Sequence, residues 1–272
     1  MHSRFLTGIL LCSLFLTSCA GPVDKDPHVN LDLPGHDFQN KYALSGAVSF
    51  QETDRIFCGT NLIGSTLFYY DKSSGTSGVL CPDPACTHED ATCSAHIQSG
   101  AGLSVYDDML YLIAPDTSSA GREEYLWRQD LFGRGREKLK KISFDEVILP
   151  YQPQRYIVHR GKLYLLGKTD TVGKDGISPV TRISLLSTSL GDGETFATLY
   201  DQTWDENINP TVFFKGDTAY LSLPSFTQEG CINLTILRYN LADGSSETIY
   251  QENETEMSPR PLWVSEEGEI YM

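Results

Sequence analysis

The chain predicts an all-β fold, a β-propeller of four-stranded antiparallel blades, and three observations lead there. First, one strand-turn-strand phrase recurs five times: AVSFQETDRIFC, GLSVYDDMLYLI, RYIVHRGKLYLL, PTVFFKGDTAYLSL and PLWVSEEGEIYM. Its second-strand aromatics, Phe57, Tyr111, Tyr164, Tyr220 and Tyr271, follow at intervals of 54, 53, 56 and 51 residues. Second, a following strand (STLFYYD, YLWRQD, ISLLSTS, LTILRYN) ends on Asp71, Asp130, Ser189 and Asn240, which keeps a similar period. Third, no long stretch beyond the N-terminal segment holds a helical 3.6-residue period. A fixed period of about 50 residues filled by short strands is the mark of a propeller. A lone four-stranded blade cannot bury both of its faces, so neighbouring blades must stack.

Residues 1–19 form an export signal, set apart from the fold. His2 and Arg4 make its basic start, Phe5 to Leu16 its apolar core, and Leu16-Thr17-Ser18-Cys19 its exit. The apolar run falls short of the roughly 20 residues that span a bilayer. Leu-Thr-Ser-Cys resembles the bacterial lipobox, whose cysteine thiol is diacylated, and two acyl chains anchor a protein stably. Residues 20–42, with three prolines and neither structural period, make a flexible tether to the domain at 43–272.

Within that domain the blades are expected at about 45–81, 102–143, 155–201 and 210–251, with a partial fifth at 261–272. Their first hairpins turn at Thr53-Asp54, Asp107-Asp108, Arg160-Gly161, Gly216-Asp217 and Glu267-Gly268. Such pairs favour two-residue hairpin loops. The second hairpins turn at Ser74-Gly75, Gly133 to Gly135, Asp192-Gly193 and Asp243-Gly244. The short polar residue before each can bond the turn backbone. Trp127, Tyr164, Tyr220 and Tyr239 are expected as packing between blades, and Cys58, aligned with Leu112, Leu165 and Leu221, as a small apolar core residue. The fifth phrase stops at Met272 inside its second strand, and half a blade leaves open edges. The sequence is therefore expected to be a piece of a longer protein with a truncated ring.

The connections 82–101, 115–123, 144–154, 169–179, 202–209 and 224–231 are the long ones, and propeller topology gathers them on one face. Long irregular loops on a rigid scaffold are where recognition tends to sit. Tyr151, Trp204, Asp205, Glu206 and Asn207 are the candidate ligand residues of that face, although a solvated acidic loop needs no function. The net charge of −15 excludes a nucleic-acid partner, and the one basic run, Arg134 to Lys141, has the alternation of a solvated strand edge.

Chemistry concentrates in one place. Cys81, Cys86, His88 and Cys93 lie within thirteen residues in a Cys-x4-Cys-x-His-x4-Cys pattern. Three thiols and an imidazole match the donor set of a tetrahedral zinc site. A disulfide is the other reading, since export permits oxidation. With Cys58 and Cys231 the mature thiols besides Cys19 number five, which cannot all pair. No hydrophobic pattern in this crossover suggests a core of its own, so some cross-link is expected to order it. No G-x-S-x-G, H-E-x-x-H or P-loop pattern is present, DTVGKDG has too few acids for a calcium loop, and His159 is a packing or surface residue.

The stretch LFYYDKSSGTSGVLCPDPACTHEDATCSAHI, downstream of a lipobox, resembles a group of lipoproteins from Gram-positive anaerobes. Those carry a domain of unknown function similar to the β-propeller of the low-density lipoprotein receptor. The resemblance implies the fold, an outer-face location on the bacterial cytoplasmic membrane, and the cluster Cys81, Cys86, His88, Cys93 as a recurring feature. It transfers no catalytic residue. A lipid-anchored binding or scaffold propeller with an unidentified protein or carbohydrate ligand follows. The alternative is a secreted carbohydrate-active or peptide hydrolase whose active site lies in further blades. Replacing Cys19 with Ala is expected to abolish fatty-acid labelling and to release or stall the protein; undiminished labelling would refute the anchor.

Overall fold

The structure, a computed structural model, describes residues 50–60, 66–89, 92–97, 103–116, 123–142, 156–191, 195–226, 231–255, 263–264 and 269–271. The export signal with Cys19, the tether, Tyr151, and the Asp192-Gly193 and Glu267-Gly268 turns lie outside them. The described residues form strands and connections with no helix.

Four antiparallel meanders make the four blades of a β-propeller. The first comprises β1 (Phe50–Glu52), β2 (Ile56–Thr60), β3 (Leu67–Asp71) and β4 (Thr76–Val79). The second comprises β5 (Leu103–Tyr106), β6 (Met109–Pro115), β7 (Glu124–Asp130) and β8 (Glu137–Ile142). The third comprises β9 (Tyr156–His159), β10 (Lys162–Val172), β11 (Pro179–Ser189) and β12 (Ala197–Trp204). The fourth comprises β13 (Thr211–Lys215), β14 (Thr218–Phe226), β15 (Ile232–Asn240) and β16 (Ser246–Thr255). A hairpin of β17 (Trp263–Val264) and β18 (Ile270–Tyr271) opens the fifth repeat and packs on the fourth blade.

Turn chemistry explains the hairpins. Tyr106 pairs with Met109, and His159 with Lys162, across two-residue loops. Their central residues all take positive φ: Asp107 47°, Asp108 56°, Arg160 46° and Gly161 72°. That is the backbone of the tight turn matching strand twist. In the first blade the turn centre falls one residue later than the sequence suggests, because Thr53 caps the loop by accepting from Ile56 N at 2.9 Å. In the first, second and fourth blades the polar residue ending the third strand does bond the following turn. Asp71 accepts from Ser73 N at 2.8 Å, Asp130 from Phe132 N at 2.8 Å, and Asn240 from Ala242 N at 2.8 Å.

One connection is shorter than the sequence implies. The segment 169–179 is mostly strand: β10 and β11 pair without a break from Lys162–Ser189 to Val172–Pro179. Thr169, Thr171, Val172, Val180 and Thr181 are β-branched and extend the ladder. Asp175 then closes the remaining loop by accepting from Ile177 N and Ser178 N at 3.0 and 2.9 Å.

Alternation along the strands buries one residue set against each neighbouring blade. Cys58, Leu67, Leu103, Leu110 and Leu112 fill the space between the first two blades. Tyr111, Leu126, Tyr156 and Leu163 lie between the second and third. Tyr164, Leu185, Phe214 and Leu221 lie between the third and fourth. Cys58 is a core residue, and burial pushes its thiol up to about 12. Tyr164, Tyr220 and Tyr239 are buried as packing, whereas Trp127 is half-buried with its indole donating to Ala114 O at 3.0 Å. His159 packs too: it stacks on Phe214 at 5.2 Å, with Nε2 2.8 Å from Gly216 O.

Backbone groups at the seams are met by side chains of the adjacent blade. Ile113 N donates to Tyr156 Oη at 3.1 Å, and Val158 N to Ser104 Oγ at 2.9 Å. Tyr239 Oη donates to Leu199 O at 2.6 Å.

The outermost strand carries a β-bulge at the same place in three blades: opposite Leu126/Trp127, Leu185/Leu186 and Ile236/Leu237. A bulge inserts one residue and switches which face the strand's later residues present. The inserted residues are Leu139, Leu199 and Ile249. The switch corrects the reading of the basic run as wholly solvated. Lys138 lies over Tyr125 at 4.3 Å, but beyond the bulge Lys140 turns the other way, is buried, and donates to Thr188 Oγ1 at 2.6 Å in the third blade.

Phe214 is fully buried and also meets Tyr164 at 4.5 Å, so Phe214→Ala is expected to cost about 3–5 kcal/mol of unfolding free energy. Phe226→Ala, at a residue 54% exposed, should stay within about 0.5 kcal/mol by denaturant titration.

Candidate metal centre

The crossover from β4 to β5 begins where β4 ends, with Leu80 N donating to Leu67 O at 2.8 Å. It turns through Cys81-Pro82-Asp83-Pro84-Ala85-Cys86, where Asp83 Oδ1 accepts from Ala85 N at 2.9 Å. It then returns to the same place: Leu67 N donates to Ala95 O at 2.9 Å, and Thr66 bridges His96. The excursion is thus a loop whose ends meet, and the four candidate ligands lie on it.

The geometry brings all four together. One ligand atom each from Cys81, Cys86, His88 and Cys93 lies within 4.8 Å of the other three. His88 Nδ1 is 3.4 Å from Cys93 Sγ. In a zinc tetrahedron with bonds of about 2.0–2.3 Å the donor atoms stand roughly 3.5–3.8 Å apart, so a contraction of about 1 Å at the widest pair completes it. All five described cysteines are free thiols. Cys231, just before the fourth blade's third strand, belongs to no cluster of metal-ligand type among the described residues.

Local backbone supports the set. His88 takes a left-handed conformation, φ 62°, an unusual state for a residue with a β-carbon. His88 N points at Cys86 Sγ and Ala95 N at Cys93 Sγ, each at 3.4 Å. Both donors orient the sulfur they meet, and the Ala95 N–H favours the deprotonated form of Cys93. Against this, burial pushes the Cys93 thiol up to about 11, so a bound cation must displace its proton.

The crossover has a core after all. Leu80, Cys93, Ala95 and Ile97 are buried in the cluster between the first two blades. The alternating Cys93-Ser-Ala95-His-Ile97 was the signal for it, a period-2 pattern too short to stand out beside the ligands. The second blade's outer turn closes the site from the other side. Asp130 Oδ1 holds that turn through Phe132 N and Arg134 N. Leu131 is buried, Phe132 meets Tyr69 edge-on at 6.3 Å and lies under the Arg55 guanidinium at 4.4 Å. Gly133, at φ 80°, sits against the Leu80 carbonyl so closely that any β-carbon would overlap it. The cluster therefore lies where the crossover wedges between two blades.

The residues expected on the long-connection face are differently engaged. Trp204 ends the third blade's outer strand half-buried against the core there. Asp205, Glu206 and Asn207 follow it, exposed. Asn207 Oδ1 accepts from Lys168 Nζ at 3.0 Å, and Glu206 accepts from Ser225 Oγ. Ile208 N donates to Thr181 Oγ1 at 3.2 Å, so this connection is pinned to the sheets beneath it.

No family model matches the chain, and no curated protein matches it. Among solved structures, the acylaminoacyl peptidase of Pyrococcus horikoshii is 11% identical with a TM-score of 0.40, over 79% of this chain and 34% of that one. The polysaccharide lyase Uly1 is 10% identical with a TM-score of 0.35, over 78% of this chain and 47% of that one. The chain thus spans about a third of the peptidase and about half of the lyase, and at these scores neither bears on activity.

Gly133→Ala is expected to destabilise the protein by more than about 3 kcal/mol, since it adds overlap with Leu80 O to left-handed strain. Gly135→Ala, at φ 65° with open space around its β-carbon, should cost only the strain, about 1 kcal/mol. Equal losses in thermal melts would show that the crossover is not seated on this turn.

Proposed function

We propose that this chain is a lipid-anchored, extracytoplasmic β-propeller with a binding or scaffolding role, in which a zinc ion held by Cys81, Cys86, His88 and Cys93 pins the first crossover. The observation that carries the reading is the convergence of four donors, three of them sulfur. Thiolates select soft or borderline ions over magnesium and calcium. Four protein ligands fill the tetrahedron and leave no position for a reacting water, which is the mark of a structural site. When bound, zinc would supply a cross-link where the chain otherwise relies on a short apolar strip. The roles left to the protein are the backbone N–H groups of His88 and Ala95 at the sulfurs and the seat provided by Leu80 and Gly133.

Anchoring rests on Leu16-Thr17-Ser18-Cys19, and the acidic surface fits a protein or carbohydrate partner and no nucleic acid. A rigid propeller offers its ligand the face of the longer connections, where Asp205 is exposed beside Trp204.

Two measurements test this. Protein purified under reducing conditions without added zinc should carry one zinc per chain, and chelation should expose three further thiols to titration. Absence of metal together with a disulfide between two of these cysteines would remove the centre. Incubation with peptide and polysaccharide pools should give binding without product; release of fragments from either would replace the scaffold reading with a hydrolase.

A further inference from the structure

The buried side of the Cys/His loop faces an arginine with no carboxylate to answer it. Arg136 immediately precedes the outer strand of the second blade, and its Nη1 donates to Ser94 O at 3.2 Å and His96 O at 3.0 Å. These two carbonyls belong to the residues just after the ligand Cys93. The guanidinium lies over Trp127 at 4.9 Å, and its Nε is sealed from solvent with no hydrogen-bond partner. Three basic side chains of this stretch meet acids, Arg128 with Glu137, Lys138 with Asp116 and Lys141 with Glu123, while buried Lys140 donates to Thr188 Oγ1 in the third blade. Arg136 has no ion pair with a carboxylate among the described residues.

A half-buried cation without a counter-charge is disfavoured. Free thiols and a disulfide are both neutral and would leave Arg136 in that state. A divalent ion on three thiolates and one neutral imidazole carries a single negative charge, which balances one guanidinium. We propose that Arg136 is the outer-sphere counter-charge of an anionic metal–thiolate centre, a positioning residue that binds the ligand loop through its carbonyls and raises metal affinity through its charge. This rests on the zinc reading above. It adds a residue which that reading does not require.

The test measures zinc affinity of the full chain by competition with a chromophoric chelator. Arg136→Gln keeps donors for the two carbonyls but removes the charge, and is expected to weaken zinc binding about 10- to 100-fold, the range for outer-shell partners. Arg136→Lys keeps the charge and should stay closer to wild type. Arg134→Gln, an exposed neighbour, should change nothing. The decisive variant is Cys81→His, which turns the loaded centre neutral: in that background Arg136→Gln should lose most of its effect. Thermal melts should show Arg136→Gln less stable than wild type when loaded, yet no less stable when both are chelated.

Equal losses for Gln and Lys, an undiminished effect in the Cys81→His background, or a variant unfolded in both buffers would each make Arg136 a purely structural residue and overturn the proposal. Wild-type protein that takes up no zinc in the same assay would instead overturn the metal reading beneath it. That outcome is distinct, because it precedes any effect of the variants.

Discussion

The structure depends on one constraint: a four-stranded sheet has two apolar faces and must be covered on both. Everything that recurs follows from it. The Leu-Tyr-Leu alternation sends Leu110 and Leu112 toward the first blade and Tyr111 toward the third. Seams between sheets also trap backbone groups away from water, and these must be satisfied. The chain meets that demand with Tyr156, Ser104 and Tyr239, each reaching across one seam. Stacking and polar stitching are therefore one requirement, met by different residues of the same strands.

The first seam is built differently from the others. The first blade's outer strand, Thr76–Val79, has only four residues and shows no bulge. The crossover substitutes for the missing depth, contributing Cys93, Ala95 and Ile97 to the buried cluster. Its ligands then stand at the edge of that cluster, close enough to be ordered by it and still partly open to solvent. The turn after Asp130 completes the joint, pressing Phe132 and Gly133 onto the first blade. The four candidate metal ligands and a blade interface share the same short stretch of chain here.

The repeat, the tight turns after Tyr106 and His159, the capping role of Asp71, Asp130 and Asn240 and the grouping of Cys81, Cys86, His88 and Cys93 were legible in the sequence. Each is a local pattern with a local physical cause. The buried strip of the crossover was half legible, since Cys93, Ala95 and Ile97 alternate but draw the eye as ligands and spacers. The run of residues 169–179 reads as a loop because β-branched threonines interleaved with charges resemble one until a partner strand is known. Lys140 and Arg136 read from sequence as part of a solvated strand edge, and both turn inward. Strict alternation puts both with solvated lysines, and only the bulge at Leu139 and the fold of the preceding blade decide otherwise.

The recurring bulge also bears on how such a chain can change length. Its outer strand is divided into two stretches whose facing is set independently, one by the tight turn and one by the bulged residue. A residue gained or lost near that strand can be absorbed at the division, where otherwise it would turn an entire apolar stripe outward. Copies of the unit arising by duplication are thereby free to drift in spacing while their inner strands stay superimposable. The unequal intervals between the aromatics, from 51 to 56 residues, come instead from the hairpins and connections, since Tyr111 pairs with Arg128 but Tyr164 with Ser187.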